Sequence, residues 1–210
     1  MIIAIDGPAG SGKSTVAKTV AGKLNFYHLN SGDFYRAVTY KIIRENATEA
    51  SDEEKIRIAE SCRIQIKDNN VYLDGVNIQD KLHTPEMDMI TSKISSVVQI
   101  RSYVNKIIHE LTESLDIVAE GRDMTTVVFP NADYKFYLDA KPEVRAMRRH
   151  LQNGGKEQIE EVLTEIRLRD ENDRNKKEGA LKIAPDAIYI DTSYLTIDKV
   201  CEKVLENVSL

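Results

Sequence analysis

Met1-Ile2-Ile3-Ala4-Ile5-Asp6-Gly7-Pro8-Ala9-Gly10-Ser11-Gly12-Lys13-Ser14-Thr15 opens the chain, and its reading decides the fold. The apolar opening predicts a buried β-strand. Gly7–Thr15 then follow the spacing G-x-x-x-x-G-K-[ST], and Val16, Ala17, Val20, Ala21 and Leu24 recur at the spacing of an amphipathic helix. Strand, glycine loop and helix N-terminus in that order make a phosphate cradle. Glycine lets the backbone bend until its N–H groups converge on oxygen, and the helix end adds partial positive charge. Gly7, Pro8, Ala9, Gly10, Ser11, Gly12, Lys13, Ser14 and Thr15 are therefore expected to hold a nucleoside triphosphate. Lys13 would meet its β- and γ-phosphates, and the Ser14 hydroxyl would meet Mg²⁺.

A chain of 210 residues suits one α/β domain with an insertion, and its net charge of -5 argues against a protein devoted to nucleic acid or anionic membrane. Cys62 and Cys201 have no metal or redox spacing and are expected as reduced thiols. His28, His83, His109 and His150 show no metal spacing either. No apolar run approaches the roughly 18 residues of a membrane span, and the apolar opening is too short for a signal peptide. A cytoplasmic, soluble, monomeric enzyme with no membrane or nucleic-acid partner is expected.

Phe26–Leu29, Asp116–Ala119, Tyr134–Leu138 and Ala187–Ile190 read as four further short strands. Each is followed by a turn and a helical pattern. The expected fold is therefore α/β: a phosphate-loop core with a five-stranded parallel sheet flanked by helices. Ligands of such sheets sit beyond the carboxyl ends of the strands. The alternation breaks once, between Gly32 and Asp116. Two helical patterns there surround Arg63–Lys67 and Val71–Leu73, which alternate about Asp68-Asn69-Asn70 as a β-hairpin. Ser51-x-x-Glu54 predicts a capping box, and Thr84-Pro85 predicts a helix start. Residues 33–112 are expected as an inserted subdomain, with 1–32 and 113–210 as the core. Gly154-Gly155 is the expected hinge of a lid over about residues 149–170.

Phosphate loops serve switches, motors and kinases alike, and the arginines narrow the choice. Arg36, Arg122 and the Arg148-Arg149 pair follow strands, and Arg101 lies in the insertion. Arg167, Arg169 and Arg174 lie on a helix expected over Gln158–Lys177. Phosphoryl transfer between two nucleotides gathers many anionic oxygens, which guanidinium forks bind bidentately. On that helix Ile159, Val162, Leu163 and Ile166 form the apolar stripe, while Arg169, Asp173 and Lys176 share another face.

Four stretches carry a more specific likeness. They are Ile5–Lys13, Ser31-Gly32-x-x-Tyr35-Arg36, Glu120-Gly121-Arg122-Asp123-Met124-x-Thr126-Val127-Val128-Phe129-Pro130, and Arg169-Asp170-x-x-Asp173-Arg174-Asn175. In these, and nearly end to end, the chain resembles bacterial cytidylate kinases. The resemblance implies the nucleoside monophosphate kinase fold, with a helical lid and a monophosphate-binding insertion that carries a small antiparallel sheet. It implies that ATP gives its γ-phosphoryl group to CMP or dCMP, with Mg²⁺. Ser31, Arg36, Arg122 and Lys176 would surround the CMP phosphate. Ser92, Arg101 and Asp123 would hold cytosine, whose amino donor and two acceptors suit a carboxylate or hydroxyl beside an arginine. Arg169 and Asp173 would reach the sugar. The catalytic cations would be Lys13, Arg122, Arg169 and one lid arginine, Arg149 or its neighbour Arg148. Lys176, Asn30, Thr125 and His83 depart from the family pattern, which carries arginine, an acidic residue, glycine and arginine there.

Two alternatives follow from the same residues. A kinase for another small acceptor shares the phosphate loop but not the long insertion after the second strand. A GTP-binding switch belongs to a different class. Asn175-Lys176-Lys177-Glu178 approaches its N-K-x-D signature, yet on a predicted helix rather than after a strand.

Overall fold

The computed structural model describes residues 1–67 and 70–209, with backbone alone at 85 and 86. Its first elements are β1 (Ile2–Asp6), α1 (Lys13–Leu24), β2 (Tyr27–Asn30), α2 (Ser31–Arg44) and α3 (Asp52–Glu60). Next come β3 (Ile64–Lys67), β4 (Asn70–Leu73), β5 (Val76–Asn77), α4 (Pro85–Ile94) and α5 (Val98–Thr112). The chain ends with β6 (Ile117–Gly121), β7 (Tyr134–Asp139), α6 (Pro142–Gln152), α7 (Ile159–Arg174), β8 (Ile188–Asp191) and α8 (Ile197–Glu206). Two compact units result. Met1–Leu29 and the chain from Leu115 onward form one, and Asn30–Ser114 form the other.

The first unit is built on a five-stranded sheet in the order β2-β6-β1-β7-β8. All five expected strands are present, each within two residues of its predicted bounds. β1 is the central strand and pairs in parallel with β6 and β7, so that Ile3 lies beside both Val118 and Tyr134. Helices cover both faces of such a sheet, which is why Ile3, Ala4 and Ile5 form an unbroken apolar run and are all 0% exposed. Val16 and Val20 of α1 and Val200 and Val204 of α8 pack against Ile3, Ile5, Phe136 and Leu138. Burying each such aliphatic side chain contributes about 1.5–3 kcal/mol. A smaller cluster joins α6 to α7 through Ala146, Val162 and Ile166, with Ile159 and Leu163 against its edge. Cys62 and Cys201 are buried and free.

The second unit differs from the expectation in two ways. Each flanking helical pattern is a pair of helices rather than one. Asn46 takes a left-handed φ of 55° between α2 and α3, and Ser95–Val97 separate α4 from α5. The small sheet also has a third strand, β5, turned back on β4 at Asp74-Gly75, whose φ values are 51° and 83°. Asp-Gly is a hairpin signal that the alternation upstream concealed. The expected turn at Asp68-Asn69 lies outside the described residues. Ser51 caps α3 by accepting from the Glu54 N–H at 3.3 Å, and Thr84 caps α4 through the Met87 N–H at 3.1 Å. Ser31-Gly32 is no turn: Asn30 accepts from the Gly32 N–H at 3.0 Å, so α2 starts directly at the end of β2.

Candidate active site

The phosphate loop connects β1 to α1. A Cβ on Gly7 would lie 2.1 Å from the Leu138 carbonyl oxygen, so only glycine lets the loop leave the sheet here. Gly12 takes φ +92° as the residue before α1, a conformation that costs other L-residues about 1–2 kcal/mol. No side chain among the described residues caps α1, whose first N–H groups are thereby left for a ligand. Lys13 is 5% exposed, and its amine donates to the Pro8 carbonyl at 3.1 Å. Burial, and then the nearby Arg122 and Arg169 charges, lower its pKa to about 7 against the pull of Glu120 and Asp173. The Ser11 hydroxyl is buried with no hydrogen-bond partner among the described residues. A buried amine driven towards neutrality partly by two guanidinium charges is a group that a polyanion relieves. This loop fits a triphosphate.

Asp6, at the end of β1, fixes the next part. Its carboxylate accepts from the Met124 N–H at 2.8 Å, from the Thr125 N–H at 2.7 Å and from the Thr125 hydroxyl at 2.6 Å. Burial pushes its pKa up to about 6 despite these bonds. The segment after β6, which carries Arg122 and Asp123, is thereby tied to the strand that launches the phosphate loop. Thr125 supplies one of these bonds through the side chain that distinguishes it from glycine.

Arg122 in turn donates from Nε to Asp173 at 2.9 Å, and the Lys176 amine meets the other Asp173 oxygen at 3.0 Å. Burial alone would raise the Asp173 pKa. The Arg122 and Lys176 charges outweigh it and hold the carboxyl well below the usual range. Asp173 is thus an anionic clamp for two cations. Lys176 is not on the helix, as the spacing suggested, because α7 ends at Arg174. It reaches Asp173 from just past that end. Arg148 is committed to the turn after β8: it donates to the Thr192 carbonyl at 2.6 Å and hydroxyl at 3.1 Å, while that hydroxyl donates to the Ser11 carbonyl in the phosphate loop at 2.9 Å. Arg149, its neighbour on α6, is half-buried.

The second unit holds the other predicted residues. Ser31 is buried in the first turn of α2. Arg36 is set between Asp88, at 2.8 Å, and Asp33, at 3.3 Å. Arg101 is 4% exposed, donates to the Ser95 carbonyl at 3.0 Å and lies 5.4 Å from the centre of the Tyr35 ring. The Ser92 carbonyl accepts from the Ser95 and Ser96 hydroxyls. The structure thus assembles Lys13, Arg122, Arg169, Asp173 and Lys176 in one unit, and Ser31, Arg36, Ser92 and Arg101 in the other. Sequence reasoning missed the acidic partners Asp6, Asp33 and Asp88. Only Asp33 had a local signal, three residues before Arg36 on one helix.

A phosphate loop heading a parallel sheet, with a clamped arginine after the neighbouring strand, defines a P-loop kinase. The fold is shared with an uncharacterized protein from Eubacterium ventriosum (TM-score 0.56, 13% identity, 98% of this chain and 96% of the other). It is also shared with shikimate kinase from Bacteroides thetaiotaomicron (TM-score 0.50, 14% identity, 98% and 97%). The chain belongs to the cytidylate kinase family, whose sequence profile matches residues 3–210. Cytidylate kinase of Clostridioides difficile is 40% identical over 100% of this chain and 99% of its own length. That of Thermosipho melanesiensis is 43% identical over 97% and 94%. No helix among the described residues is long and apolar enough to cross a membrane.

Proposed function

We infer that this protein transfers the γ-phosphoryl group of ATP to CMP or dCMP, giving ADP and CDP or dCDP. Membership of the cytidylate kinase family supports this. The observation that carries it is the buried Lys13 amine of the phosphate loop, under the charges of Arg122 and Arg169. The acceptor phosphate is already an anion, so neither a general base nor a covalent intermediate is needed. Alignment and charge stabilisation do the work. Lys13 holds the donor phosphates, Arg122 and Arg169 face the transferring group, and Arg149 closes on it from a lid of about residues 149–170. Arg36, Ser31 and Lys176 receive the acceptor phosphate, Ser92, Arg101 and Asp123 read cytosine, and Asp173 with Arg169 meets the sugar.

The reading includes Mg²⁺, which when bound neutralises part of the triphosphate charge. Ser14 is exposed on the first turn of α1. Among the described residues no cluster of three acidic, histidine or cysteine side chains could hold a metal alone. One hydroxyl with phosphate oxygens and water is the kind of shell Mg²⁺ prefers. The reading also takes the enzyme to be cytoplasmic and monomeric, and the net charge of -5 supports the absence of a nucleic-acid partner. Steady-state turnover of ATP with CMP, dCMP, UMP, AMP and GMP tests the function. Turnover should depend on CMP or dCMP. ATP consumption independent of acceptor, or equal use of UMP, would overturn the reading.

A further inference from the structure

Arg145, on α6, heads the large side chains that are fully buried, at 1% exposure. A charge this deep is costly unless its donors are satisfied. Its Nε donates to the Ala140 carbonyl at 2.8 Å, at the end of β7. Nη1 donates to the Ala9 carbonyl of the phosphate loop and to one Asp170 oxygen, both at 3.0 Å, and Nη2 takes the other Asp170 oxygen. Asp170 is 4% exposed and lies on α7, next to Arg169 and three residues before Asp173. The backbone adds to the contact: a Cβ on Gly10 would lie 3.1 Å from the Arg145 Cβ. One side chain therefore joins the phosphate loop, the end of β7 and α7.

Packing alone does not require this. Ala146, Val162 and Ile166 already hold α6 to α7, and an apolar pair of similar volume would fill the same space. What only the ion pair supplies is direction, because a bidentate fork fixes orientation as well as distance. We propose that Arg145 and Asp170 are positioning residues of the phosphoryl transfer. The pair sets the register of α7 on the phosphate loop, places Arg169 and Asp173 relative to Lys13, and passes triphosphate binding at Ala9 on to α7. Its kinetic part rests on the kinase reading; the coupling of loop to helix does not.

The test is the double variant Arg145→Met/Asp170→Leu, which removes both charges together. Its melting temperature and its affinity for a non-hydrolysable ATP analogue should stay near those of the wild type. Its kcat should fall about a hundredfold, the loss caused by a misplacement of about 1 Å. In the wild type the analogue should raise hydrogen-exchange protection over residues 159–174, and in the double variant it should not. Wild-type kcat in the variant, or the same protection gain in both proteins, overturns the proposal. Should the double variant fail to fold, Asp170→Asn decides, being isosteric and able to keep one of the two bonds. Its kcat should fall with the KM for CMP unchanged, and an unchanged kcat overturns the proposal. Absence of CMP-dependent turnover in the wild type would instead refute the kinase reading, and the exchange experiment would still judge the coupling.

Discussion

Raising the pH from 7 to 8 should weaken ATP binding about fivefold through Lys13 alone. In the free protein burial, then the charge of Arg122, brings this amine to a pKa of about 7. A bound triphosphate surrounds it with opposite charge and returns the pKa to the ordinary lysine range or above. Free Lys13 is then about half charged at pH 7 and about one-eleventh charged at pH 8. Affinity follows that fraction, and binding takes up about 0.5 and 0.9 proton respectively. The sign is fixed: the bound state holds more protons, so affinity falls as pH rises through 7. Terminal phosphates titrate near pH 6 and contribute little above pH 7.5. Calorimetric titration of a non-hydrolysable ATP analogue at pH 8, in buffers of different ionisation enthalpy, reads the uptake directly. Lys13→Met should abolish it. Uptake below about 0.2 proton at pH 8, or equal uptake in Lys13→Met, would show that Lys13 does not take up a proton when nucleotide binds.

Lys13→Ala should lower turnover about a hundredfold or more while CMP affinity, measured by titration, stays nearly intact. Comparable turnover would remove Lys13 from the mechanism. Arg101→Met should erase discrimination between CMP and UMP mainly by raising the KM for CMP; a wild type equally active on both would end the base-reading argument. Gly154→Ala/Gly155→Ala should cost about 1–2 kcal/mol at each position, because the two glycines hold φ of 77° and 71°. The same variant should slow turnover, and in the wild type residues 149–170 should gain further exchange protection when CMP joins the ATP analogue. Strong protection there without ligand would argue that the arginines are preset. Asp173→Asn should destabilise the protein by about 1.5–3 kcal/mol by removing the buried charge that holds the half-buried Arg122 and Lys176. The depressed Asp173 pKa places its stabilisation above pH 4, lost as pH falls below that. Thermal melts between pH 3 and 7 should therefore lose part of their acid sensitivity in the variant.

The core sheet was legible because each strand is a short apolar run ending in a polar or glycine turn, as at Ile5-Asp6-Gly7 and Leu138-Asp139. The phosphate loop was legible because its chemistry is local. β5 was hidden because two residues carry no periodicity, and only Asp74-Gly75 announced it. Asp6, Asp88 and the Arg145–Asp170 pair were hidden for a different reason. Asp6 meets Thr125 across 119 positions and Arg36 meets Asp88 across 52. Such pairings are made by topology, and neither spacing nor residue type signals them. Lys176 shows the converse: its spacing from Asp173 was read correctly, but the helix had already ended.

The sheet order has a consequence for the birth of the chain. Both neighbours of β1 arrive late, since Ile3 pairs with Val118 and Tyr134, 115 and 131 residues downstream. At ribosomal speeds of about 5–20 residues per second, β1 waits on the order of ten seconds for its partners. Throughout that interval an apolar strand with two open edges is offered to chaperones and to other nascent chains. Asn30–Ser114, a compact unit complete in sequence, is free to fold while the emerging chain holds the strand in reserve. A slower codon run before residue 134 would lengthen the exposure of β1 without altering a single native contact.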